Sequence, residues 1–150
     1  MSSVDKIKQL RNKTAVSIAE CKKALKKTDG NLEKAEEILK QRGEKVSNKR
    51  ADKEASEGLV DAYIHANGKV GVLLELGCET DFVAKSNDFK ELAHELCLQI
   101  AALDPEEVKE DFKEQKWIKD QDKTIEDLLN KYVAKLGEKI VIKKYTRYQI

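Results

Sequence analysis

The sequence predicts an α+β protein. A three-helix bundle at residues 1–43 leads through a charged linker at 44–56 to a core at 57–150, where a small antiparallel three-stranded sheet packs with helices. Three observations predict it. Apolar residues recur at helical spacing through residues 4–42, 89–103 and 125–136. Alternating runs flank Asn67-Gly68, a pair that tolerates the positive φ of a tight hairpin turn. A last alternating run, 139–150, must join that hairpin to bury a face.

The first helix carries Val4, Ile7 and Leu10. The second starts at Ser17, with Glu20 at capping-box spacing. Ile18, Cys21 and Leu25 share its buried face, and Gly30 ends it in a left-handed conformation. Asn31 caps the third, which carries Leu32, Ala35, Ile38 and Leu39 and is expected to stop at Gly43. Helices this short are marginal alone, so the three must pack together. The next stretch, "EKVSNKRADKEAS", is nearly devoid of apolar residues and reads as a linker or frayed helix at a domain boundary.

In the hairpin, Val60, Ala62 and Ile64 alternate with Asp61, Tyr63 and His65, while Val70, Val72, Leu74 and Leu76 share one face. A long helix follows, with Phe89, Leu92, Ala93, Leu96, Ile100 and Leu103 on its stripe, until Asp104-Pro105 breaks it. Residues 106–123 have weak periodicity; a short helix and a loop anchored by Trp117 and Ile118 are expected. Thr124 caps a helix with Asp127 at the capping-box position; Ile125, Leu128, Leu129, Val133 and Leu136 form its stripe, and Gly137 ends it. Ile140, Ile142 and Ile150 are expected on the inner face of the last strand.

Composition limits the function. Charged residues make up 38% of the chain, against about 25% in an average protein, and hydrophobic residues 40%. Helices with solvated faces around a modest core are therefore expected. No apolar run approaches the roughly 18–20 residues of a membrane span, and "MSSVDKIKQLRNK" lacks a secretory h-region. The expected location is the cytoplasm, or an organelle matrix after loss of a transit peptide. Cys21, Cys78 and Cys97 are odd in number and form no CxxC pair, which argues against a disulfide scaffold or zinc site. Cys21 and Cys97 fall on apolar helix faces, whereas Cys78 sits at a strand end open to exposure.

No Gly-rich phosphate loop is present, and His65 and His94 have no partners at metal-ligand spacing. No nucleophile–base arrangement can be assembled. An enzyme is not expected, nor is a cofactor. Charge is uneven: residues 1–50 hold 14 Lys+Arg against 7 Asp+Glu, and residues 51–150 hold 15 against 21. A basic module suits an acidic partner surface or nucleic acid. Residues 1–50 contain no aromatic residue, so a base-stacking platform is absent there.

One junction stands out, "GCETDFVA" at residues 77–84. Pattern alone leaves two readings of Phe82. It packs under the long helix while Thr80 and Asp81 cap that helix, or it is exposed for a partner. By pattern the packed reading comes first.

Three stretches in order resemble elongation factor Ts. "HANGKVGVLLELGCETDFVA", residues 65–84, is similar to that family's strand–turn–strand and TDFVA motif. Residues 10–39 resemble its N-terminal domain through Leu10-Arg11, Thr14, Cys21-Lys22-Lys23-Ala24-Leu25, Gly30-Asn31 and Lys34-Ala35. Residues 123–150 resemble its closing helix and strand, including Gly137-Glu138 and Ile140-Val141.

The resemblance implies a guanine-nucleotide exchange factor that binds elongation factor Tu in its GDP form and promotes GDP release. It implies that the bundle is ubiquitin-associated-like and docks on the partner's G domain. The loop from Ala15 to Ala19, with Val16, Ile18 and Ala19, would lie near that contact, as would Lys22 and Lys23. It also implies that Thr80, Asp81, Phe82 and Val83 enter beside the partner's Mg²⁺ and phosphate site. Two departures bear on this. The family's N-terminal loop is usually rich in Gly and Met, whereas here it reads "TAVSIAE". The core is also short, and short members homodimerise; strand 139–150 is the expected dimer element, through the sheet's face or edge. No membrane and no direct nucleic-acid contact are expected. Two other classes compete: a ubiquitin-associated-type peptide-binding adaptor and an RNA-binding protein using the basic bundle.

Overall fold

The computed structural model describes every residue except Ala15, Lys109 and Glu110. Helices α1 (Ser3–Thr14), α2 (Ile18–Lys27) and α3 (Leu32–Lys49) form the N-terminal bundle. Ser17 caps α2 by accepting the Glu20 N–H at 3.3 Å. The Glu20 carboxylate pairs with Arg42 instead, so the capping box is half made. Asn31 caps α3 by accepting the Lys34 N–H at 3.0 Å. Leu10, Cys21, Ala24, Leu25, Ala35 and Leu39 fill the bundle's core. Ile18 departs from expectation and is exposed. It shares a side of α2 with Leu25, but at the helix's first position it lies a turn beyond the packed residues.

Helix α3 also departs from expectation, continuing past Gly43 to Lys49. Gly43 is buried against helix α7 (Ile125–Leu136), where an added Cβ would lie 3.3 Å from the Asn130 carbonyl oxygen. The glycine permits close approach of two helices rather than ending one. The charged residues after it are a solvated helical extension.

Strands β1 (Glu57–Ile64), β2 (Val70–Cys78) and β5 (Val141–Gln149) form an antiparallel sheet in the order β1-β2-β5. Helices α4 (Asp81–Ala84), α5 (Asn87–Ala102) and α7 (Ile125–Leu136) pack with it. Phe89, Leu92, Leu96 and Ile100 of α5 meet Leu74 and Leu76 of β2 and Ile125 and Leu128 of α7. Helix α7 also touches α3, joining bundle to sheet layer. Its N-terminus is a complete capping box between Thr124 and Asp127, and its C-terminus closes on Gly137 at φ +72°.

The faces of the outer strands follow β2. Val72, Leu74 and Leu76 are the strongest apolar set and take the core face. Register then places Tyr63, Asp61 and Leu59 opposite them, and turns Val60, Ala62 and Ile64 outward. On β5, Ile142 pairs with Leu76 and Tyr145 with Leu74, so a bulge absorbs Lys143. The alternation restarts there. Ile140 and Ile142 pack on the core as expected, but Ile150 falls on the outer side and is exposed.

Between α5 and α7 lie α6 (Pro105–Val108), a 3₁₀ turn at Phe112–Glu114, and a small hairpin of β3 (Lys116–Trp117) and β4 (Asp120–Thr124). Where weak periodicity predicts a loop, the chain pairs into this hairpin. It hangs on Gln99, a fully buried α5 side chain that donates to the Lys116 carbonyl at 3.0 Å and accepts the Ile118 N–H at 2.9 Å. Among the described residues, no helix is long and apolar enough to cross a membrane.

Candidate functional site

The chain leaves the sheet at Cys78 and turns at once into the single turn of α4. Thr80 caps that turn in an extended conformation, its Oγ1 accepting the Val83 N–H at 3.2 Å. Val83 and Ala84 are buried in the core. With Val83 facing inward, its neighbour Phe82 is carried round to the outside, where it is 86% exposed. The packed reading of Phe82 is therefore overturned: Val83 does the anchoring, and Phe82 has no cover. Asp81 is exposed beside it and pairs with Lys85 at 2.7 Å. That hydrogen bond raises the Lys85 pKa above its ordinary value.

Behind the turn lies a set of charged groups. The Glu138 carboxylate takes the Glu79 and Thr80 N–H groups on one oxygen, at 3.1 and 3.0 Å, and the Thr80 hydroxyl on the other at 2.7 Å. Glu79 accepts two hydrogen bonds from Arg50, at 2.6 and 3.1 Å, and the Lys139 N–H at 2.6 Å. Burial alone would raise the Glu79 pKa; the Arg50 and Lys139 hydrogen bonds outweigh it and hold the carboxyl below the ordinary range. Lys139 also reaches the Ala51 carbonyl at 2.6 Å. The end of α3, the end of β2 and the α7–β5 loop thus converge on the root of the exposed turn.

Cys78, whose place at a strand end leaves its exposure open in the sequence, is fully buried. Its thiol donates to the Thr80 carbonyl, and burial pushes its pKa up to about 11. Such a thiol is inert rather than nucleophilic. Cys21 and Cys97 are buried as expected. His65 sits in the open with its Nδ1 2.9 Å from the Tyr63 hydroxyl. Among the described residues no acidic, His or Cys cluster could hold a metal ion.

On the bundle, Ile18, Ala19, Lys22 and Lys23 are exposed. Val16 does not join them: it is 9% exposed and belongs to the bundle's core. A chain turning between α1 and α2 needs one apolar residue to close the bundle's end, and Val16 fills that place. Ala15, the first residue of the expected contact loop, lies outside the described residues.

A family model described as Elongation factor TS matches residues 79–150, from the root of the exposed turn through β5 to Ile150. Elongation factor Ts of Moorella thermoacetica is 40% identical, over 96% of this chain and 93% of its own length. The chain belongs to the elongation factor Ts family. It is thereby related to the translation elongation factors. Elongation factor Ts of Syntrophobacter fumaroxidans is likewise 40% identical, over 96% and 94% of the two chains. That of Thermotoga maritima is 38% identical, over 99% and 96%. The span aligned with the Moorella protein is 188 residues, longer than this chain, so that elongation factor Ts carries segments that are missing here.

Within this member of the elongation factor Ts family, Arg50, Glu79 and Glu138 join the site although no motif in the sequence marks them for it. Gly137-Glu138 was visible as part of the resemblance, but nothing in the pattern tied it to Thr80, 58 positions away.

Proposed function

We propose that the chain is a guanine-nucleotide exchange factor that binds elongation factor Tu in its GDP form and promotes GDP release. The observation that carries this reading is Phe82, a large apolar side chain 86% exposed on a turn tied down at both ends. Thr80, Asp81, Phe82 and Val83 form the wedge. Phe82 enters the partner's G domain, Asp81 follows with a carboxylate, and Thr80 and Val83 hold the turn.

GDP is retained by phosphate contacts and by Mg²⁺, which demands near-ideal octahedral geometry. A wedge that displaces one wall spoils that geometry without bond chemistry, so the protein acts as an exchange factor rather than an enzyme. Fully burying a phenylalanine is worth about 1.5–3 kcal/mol. Felt only in the transition state, that corresponds to about a ten- to hundredfold faster release. Any greater acceleration comes from the remaining interface, to which the bundle adds Ile18, Ala19, Lys22 and Lys23. By linkage, GDP and the factor weaken each other's hold on Tu.

The chain divides at a bundle of residues 1–43, a connecting segment 44–56 and a core 57–150. Two separate apolar clusters support that division, and α3 runs across its first boundary. The protein works in the cytoplasm. A homodimer through the outer sheet face is the second part of the proposal. It is favoured by Val60, Ile64, Leu73, Tyr148 and Ile150, all exposed there.

The test is release of fluorescent GDP from elongation factor Tu. Wild type accelerates release at substoichiometric amounts, and Asp81→Ala and Phe82→Ala each lose most of that effect. An unchanged release rate with wild type refutes the reading.

A further inference from the structure

Phe82 has no cover of its own, so its side chain packing cannot set its direction. The aim of the wedge is decided by the backbone from Glu79 to Val83. Residues outside the motif hold that backbone, chief among them Glu138. Helix α7 ends at Gly137 in a left-handed conformation, which turns the chain and brings Glu138 back toward the end of β2. One carboxylate oxygen there accepts two consecutive backbone N–H groups, and the other accepts the Thr80 hydroxyl. Thr80 in turn accepts from Val83. A relay therefore runs from Glu138 through Thr80 to Val83, spanning the residue that projects outward.

We propose that Glu138 is a positioning residue for nucleotide exchange, fixing the Thr80–Val83 turn so that Phe82 is presented in one direction before any partner arrives. This rests on the exchange reading. It goes beyond it by giving a working role to a residue on a different element, 56 positions from Phe82 in sequence. Preorganisation of this kind raises the rate at saturation, because a loose turn would have to be ordered in the transition state.

Two measurements test it, on the full chain. The first needs no partner: amide hydrogen exchange of residues 79–83 in wild type and Glu138→Gln. The glutamine keeps an oxygen for the two N–H groups but cannot accept from the Thr80 hydroxyl while presenting its NH₂ there. Faster exchange in the variant is expected, and equal exchange overturns the proposal. The second is fluorescent-GDP release against factor concentration. Glu138→Ala lowers the maximal rate by about tenfold, the scale of losing a charge-assisted hydrogen bond. The half-saturating concentration moves little, because the bundle's contact is untouched; Glu138→Gln falls between. In a double-mutant cycle, Glu138→Gln costs little further once Phe82→Ala is present. Additive losses, or a wild-type maximal rate in Glu138→Ala, overturn the proposal. If Glu138→Ala does not fold, Glu138→Gln carries every comparison. If wild type fails to accelerate release while Glu138→Gln loosens the turn, the exchange reading falls and the hold on the turn stands.

Discussion

Phe82 and Phe89 lie seven residues apart and show how one residue type serves two ends. Phe89 is fully buried on α5, and Phe82 is 86% exposed on α4. Phe89→Ala should cost about 3–5 kcal/mol of stability in urea denaturation. Phe82→Ala should stay within about 0.5 kcal/mol of wild type. A comparable loss at Phe82 would mean that the side chain packs in the free protein. Glu79 gives a pH-dependent counterpart. Its carboxyl is held below the ordinary value of 4.5 by Arg50 and the Lys139 N–H, against the opposing effect of burial. A depressed folded pKa contributes stability above the unfolded pKa and loses it as pH falls through the folded one. Wild type should therefore lose stability more steeply than Arg50→Ala does as pH is taken from the ordinary carboxyl value of 4.5 to one well below it. Parallel curves from urea titrations at both pH values would refute this role for the pair.

At the scale of elements, local chemistry was legible where it is written in consecutive residues. Thr124 with Asp127, Asn31 and Ser17 each cap the helix they were expected to start. The Asn67-Gly68 hairpin and the apolar face of β2 also follow from sequence. Thr124→Ala should cost about 0.5–2 kcal/mol, read as a lowered urea midpoint, since it opens both halves of the box. What was not legible depends on contacts distant in sequence. Gly43 reads as a helix end, yet its meaning lies in Asn130 on another helix. The β3–β4 hairpin has no alternation of its own and forms around the Gln99 side chain. The outward turn of Val60 and Ile64 follows from register with a more apolar neighbour. The exposure of Ile150 follows from one bulged residue. In the site, the motif was readable, and its support by Glu138 and Arg50 was not, because single charged residues in a chain so rich in them carry no pattern.

At the scale of the molecule, the outer face of the sheet carries exposed apolar side chains that nothing among the described residues covers, with Leu73 near its centre and Ile64 and Tyr148 on the flanking strands. Patches of this kind mark interaction sites. In light scattering after size exclusion, wild type should show twice the chain mass of 17.0 kDa, and Leu73→Lys the single mass. A single mass for wild type at micromolar concentration would refute the dimer. The continuity of α3 has a further consequence. Its first half builds the bundle core through Ala35 and Leu39, and its end delivers Arg50 to Glu79. Bundle and exposed turn are thus joined by a helical strut pinned through the Arg50–Glu79 pair. Two modules on a slack chain find their second contact at an effective concentration set by linker statistics, in the millimolar range for short linkers. On the proposed exchange reading, a strut replaces that search with a fixed vector: once the bundle has landed, the exposed turn is already at its distance and bearing, and less chain entropy is left to lose.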